Sequence, residues 1–147
     1  MSGLAKLTPL TDIQNLMRHV SFARLRKDEH DNVIGFLYSA FEIQSNDDAL
    51  SAAWVEFAQL ATHDENIAAT KAAFGRAITI RKNSRFAVGN VGDIRAVCVG
   101  QGQKVRISHE PEPNFPEHAT VRQIDTGALE LIELLATEAW AQIHSIV

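Results

Sequence analysis

Within TPLTDIQNLMRHV the hydrophobic positions Leu10, Ile13, Met17 and Val20 recur at the spacing of one helical face. Pro9 suits a first helical turn, and Thr11 with Gln14 has the form of a capping box, so a helix is predicted over this stretch. The charged run RKDEHDN ends it, and VIGFLYSAFEI (33–43) reads as a strand. In SNDDALSAAWVEFAQLA, Leu50, Trp54, Phe57 and Leu60 share a second helical face, with Ser45, Asn46 or Asp47 as caps. Thr62 and Glu65 open a third helix through Ile67 and Phe74, which Gly75 is placed to end. From AITIRKNSRFAV to QKVRIS the chain is rich in β-branched residues and predicts three sequential antiparallel strands. Asn83-Ser84, Gly89 to Asp93 and Gly100 to Gln103 are the turn material. TGALELIELLATEAWAQIHSIV, with Thr126 as cap, predicts a long C-terminal helix that is apolar over a wide arc.

These elements give a fold class: one α+β domain over residues 1–147. A small antiparallel sheet of about four strands carries helices on one face and ends in the long C-terminal helix. The only cysteine is Cys98, so no internal disulfide can form, and a cytoplasmic setting is expected. Cys98 itself reads as a buried, inert thiol. No apolar run approaches the length of a membrane span or a signal peptide.

Charge changes the picture. Residues 1–66 hold 5 Lys or Arg against 10 Asp or Glu, residues 67–109 hold 8 against 1, and residues 110–147 hold 1 against 7. The basic middle coincides with the predicted sheet. Alternation there puts Ile78, Ile80, Val105 and Ile107 on one face, with Arg81, Lys104 and Arg106 on the other, extended by Arg85 and Arg95. That basic face predicts a non-enzymatic accessory or adaptor protein whose partner is an acidic protein or a phosphorylated small molecule. Nucleic acid fits less well, since Phe86 is the only aromatic in the predicted basic strands. The C-terminal helix offers a surface for a homo-oligomer.

RISHEPEPNFPEHATVR is the other chemically dense stretch. Three prolines favour an extended strap, which would hold His109 and His118 about 28 Å apart at roughly 3.1 Å per residue and pin Phe115 into the core. A reversal near Asn114 would instead gather two imidazoles with Glu110 and Glu117, but no HExxH spacing or third fixed ligand supports a metal. No metal and no cofactor are expected. HVSF at 19–22 and HATV at 118–121 resemble the paired His-x-Ser/Thr motifs of two-histidine phosphoesterases. That resemblance implies, as the alternative function, a small phosphoester hydrolase using His118 with His109 or His19. AFEIQSNDDALSAAWVEF (40–57) together with VRISHEPEPNFPEHATV (105–121) resembles a family of small uncharacterised bacterial proteins, which implies an accessory role and assigns no catalytic residue.

Overall fold

Residues Asn15–Val20 are extended rather than helical, because both sides of this segment are covered. Leu16 and Val20 face one way and Met17 the other, and all three are buried. A helical stripe would have buried Ile13 too, yet Ile13 is 80% exposed. The computed structural model describes residues 7–43, 48–125 and 127–146. Its strands are β1 (Thr8–Pro9), β2 (Asn15–Val20), β3 (Leu25–Lys27), β4 (Val33–Phe36), β5 (Ala49–Trp54), β6 (Arg85–Asn90), β7 (Arg106–His109), β8 (His118–Arg122) and β9 (Gln142–His144). The helices are α1 (His63–Ala77), α2 (Val91–Gly100) and α3 (Leu129–Leu134).

Seven strands form one antiparallel sheet in the order β1-β7-β8-β5-β2-β6-β9, and β3 with β4 makes a separate hairpin. This corrects the expected four-stranded sheet with helices on one face. Both faces are covered. Leu16, Leu50, Ala87 and Val121 pack with Ile94 and Cys98 of α2, Leu131 and Ile132 of α3, and Phe36 of the hairpin. Met17, Ala53, Phe86 and Val88 on the opposite face pack with Ile67 and Phe74 of α1. Burial on both sides abolishes strict polar alternation, which is why β2 and β5 read as helices. The expected caps Ser45, Asn46, Asp47 and Thr126 lie outside the described residues.

The helix at 62–75 forms as expected. The Thr62 hydroxyl accepts the Glu65 N–H at 3.1 Å and donates to the Glu65 carboxylate at 3.0 Å, and the helix runs past Gly75 to Ala77. The stretch DIRAVCV, expected as a strand, is instead part of α2, started where the Asn90 side chain accepts the Asp93 N–H at 3.0 Å. Gly89 belongs to no turn. It is buried in β6, where a Cβ would lie 3.0 Å from both the Ala139 carbonyl oxygen and Trp140 Cδ2.

The long C-terminal helix is also corrected. Six residues of α3 lead into a π-helical turn, Leu135–Ala139, and then into β9 on the edge of β6. The apolar arc closes the molecule's own core: Leu131, Ile132, Leu135 and Trp140 are fully buried, and Trp140 stacks on Phe41 at 5.2 Å. Among the described residues no helix is long and apolar enough to cross a membrane.

Residues 110–117 do not form an extended strap. β7 and β8 pair antiparallel, Ile107 opposite Val121 and His109 opposite Ala119, so the proline-rich segment is the returning loop of a hairpin. Glu112 and Phe115 exchange backbone hydrogen bonds across its tip. Phe115 does pack inward, 5.1 Å from the Phe74 ring.

Candidate functional site

The ladder between β2 and β5 is two rungs long, Leu16 with Trp54 and Met17 with Ala53, whereas β2 and β6 pair over six. Beyond those rungs the Arg18 guanidinium bridges the neighbouring chain segments, donating to the Ser51 carbonyl and, at 2.9 Å, to the Ala40 carbonyl. Among the described residues its partners are carbonyl dipoles and no carboxylate. Its Nε is enclosed without a hydrogen-bond partner among the described residues. Burial, and then the nearby Arg24 guanidinium, push the Arg18 pKa down to about 10, which leaves the group charged at neutral pH.

Next to it, His19 stands edge-on to Phe86 at 5.7 Å, its buried Nε2 without a hydrogen-bond partner among the described residues. Burial and then Arg18 lower its pKa below the ordinary imidazole value of 6.5, so the ring is neutral near pH 7. His19 and Ser21 are shared by two adjoining hollows. One, about 380 Å³, is also lined by Thr79, Arg81 and Ser84. The other, about 240 Å³, is lined by Arg18 and Arg24. Among the described residues no carboxylate lines either hollow.

A second polar group lies on β5 and β8. His118 is buried, 7% exposed; its Nδ1 is 2.8 Å from the Glu110 carbonyl oxygen and its Nε2 3.2 Å from Ser51 Oγ. The Glu110 carboxylate accepts from the Thr120 hydroxyl at 2.8 Å and from Arg122 at 2.9 and 3.0 Å. Burial raises the Glu110 pKa, but the Arg122 and Thr120 hydrogen bonds together outweigh it, and the carboxyl sits below its usual range. Arg122 also meets Asp48 at 2.9 Å.

The basic residues expected on one face are dispersed. Arg81 is exposed in the loop before β6, and Arg85 opens β6 and donates to the Ser84 carbonyl at 2.8 Å. Lys104 and Arg106 are exposed at the start of β7, four strand spacings from β6, or about 19 Å across the sheet. Arg95 lies on α2, tied to Asp12 at 2.9 Å and to the Leu10 carbonyl at 3.0 Å. His109 and His118 occupy neighbouring strands, but His109 opposes Ala119, so the two imidazoles leave opposite faces and cannot share one ligand. His109 packs instead among Trp54 and Phe57, with Nε2 2.7 Å from the Pro116 carbonyl oxygen. Among the described residues no three His, Cys, Asp or Glu side chains are grouped to hold a metal. Cys98 is buried, and burial raises its thiol to about 11.

Sequence reasoning named His19, Arg81 and Glu110 but missed Arg18, Arg24 and Ser51. The signal available was RHVSFAR, in which two arginines, a histidine and a serine fall within seven residues.

No protein-family model matches the chain, and no solved structure matches it. Fifty residues are 38% identical to a rice protein (Oryza sativa subsp. japonica) named probable protein phosphatase 2C 42. That similarity spans 34% of this chain and 14% of the rice protein.

Proposed function

We propose that the chain binds a small phosphate-bearing ligand, held where β2 ends beside the 79–84 loop. One observation carries the reading. In a chain of net charge −4, two adjoining hollows gather Arg18, Arg24, Arg81, a neutral His19 and the Ser21 and Ser84 positions, with no carboxylate among the described residues that line them. Guanidinium groups match the planar oxygen pairs of phosphate, and partial burial strengthens each charge-assisted hydrogen bond. The binding surface is thus a hollow, and Lys104, Arg106 and Arg95 take no part in it. The rice match covers too little of either chain to choose between binding and catalysis. With Cys98 as its only cysteine, the protein belongs in a reducing cytoplasm.

Isothermal titration with phosphoserine tests the reading. Uptake is expected for the wild-type protein, weakened at least about tenfold in Arg81→Glu, an exposed position whose substitution spares the core. No uptake by the wild type, or equal affinity in the variant, overturns it.

A further inference from the structure

The Ser51 and His118 pair is not used by the phosphate hollow, and its geometry points to a separate activity. We propose that Ser51 is a reactive nucleophile, with His118 as its general base, toward small carboxylic esters bearing a good leaving group.

The pair is set by the sheet. Ala53 of β5 opposes His118 of β8, and Ser51 opposes Thr120, so Ser51, Ala53, His118 and Thr120 share one face. The imidazole is buried, whereas Ser51 is exposed, so the hydroxyl is open to a substrate while its base is shielded. The Glu110 carbonyl at 2.8 Å can only accept, which places the His118 proton on Nδ1. The Nε2 lone pair is then left for the Ser51 O–H, 3.2 Å away. That is the tautomer a serine nucleophile requires, with a backbone carbonyl as the orienting third member. The Thr120 hydroxyl would be the competing partner, but it donates to Glu110 and leaves Ser51 to the histidine. The Glu112 carboxylate lies 3.8 Å from Nδ1, on the side of the ring away from Ser51.

In the first half-reaction Ser51 Oγ bonds to the ester carbonyl carbon as its proton passes to His118 Nε2. The carbon–oxygen bond to the leaving group then breaks, and the departing oxygen takes that proton. In the second, water adds to the acyl-serine and gives a proton to Nε2. The carboxylic acid leaves as Oγ recovers its proton from Nε2. Among the described residues the hydrogen bonds around the pair are directed at protein groups, so the pair suits activated esters, whose leaving groups need least help from an oxyanion donor.

A fluorophosphonate probe followed by peptide mass spectrometry tests the proposal on the intact protein. Phosphonylation is expected on Ser51, absent in Ser51→Ala and slowed about 100-fold or more in His118→Gln. Labelling confined to other residues, no labelling, or an unchanged rate in His118→Gln overturns it. Should His118→Gln fail to fold, the imidazole tautomer of the wild-type protein decides by nitrogen NMR: a proton on Nδ1 upholds the assignment, and a proton on Nε2 overturns it.

Discussion

His19 shows how a single side chain ties the candidate site to the stability of the fold. Its folded pKa lies below the unfolded value, so as pH falls from about 6.5 the unfolded chain takes up a proton before the folded one does. The stabilisation is complete above that point and is lost progressively as pH drops through the lowered folded value. His144, lowered chiefly by burial, acts in the same direction. Glu110 is a carboxylate with a depressed pKa, so its contribution persists to lower pH and disappears only below the usual carboxylate range. Urea unfolding midpoints measured from pH 7.5 to 5 should therefore decline for the wild-type protein. The decline should be shallower for His19→Gln, and identical slopes would show that His19 is not desolvated in the folded state. The sequence named His19 and Arg81 on local grounds. Arg18 was hidden because its carbonyl partners, Ser51 and Ala40, are contributed by segments 33 and 22 residues away.

At the scale of elements, legibility tracked how local the deciding interactions are. The first helix was readable because its cap joins Thr62 to Glu65, three residues apart. The second was not, since Val91 to Gly100 has the composition of a strand and becomes helical through packing of Val91, Ile94 and Cys98. Gly89 was read as turn material for the same reason, since what it approaches is the distant Trp140. Gly89→Ala should destabilise the protein by about 1–3 kcal/mol through overpacking against that indole and the Ala139 carbonyl, measurable as a lower denaturant midpoint with an unchanged slope. Wild-type stability in this variant would mean that the π-helical turn yields at little cost. The prolines around residue 113 likewise suggested a straight path, whereas the β7–β8 pairing bends them into a hairpin.

Over the whole molecule, the sorting of charge along the chain does not become a sorting in space. The basic block from 67 to 109 is divided among a helix, the strand next to one edge of the sheet, a second helix and the strand next to the other edge, so its cations point several ways. What the sequence could not reveal was the strand order, in which both ends of the chain supply edge strands, β1 beside β7 and β9 beside β6. The last of these is the more consequential, because β9 covers the ladder groups of Phe86 to Val88. Deleting residues 142–147 should lower the thermal midpoint and promote concentration-dependent association, seen as a rising apparent mass in light scattering. A monomer of unaltered midpoint would show that β9 is dispensable. The stacked Trp140 also gives the protein an optical probe of this seam. An indole sealed from water beside Phe41 emits at shorter wavelength than one in contact with solvent, and Trp54 is only half enclosed. Detachment of the C-terminal segment would shift the emission to the red before the rest of the sheet comes apart, so one spectrum can separate loosening at this end from global unfolding.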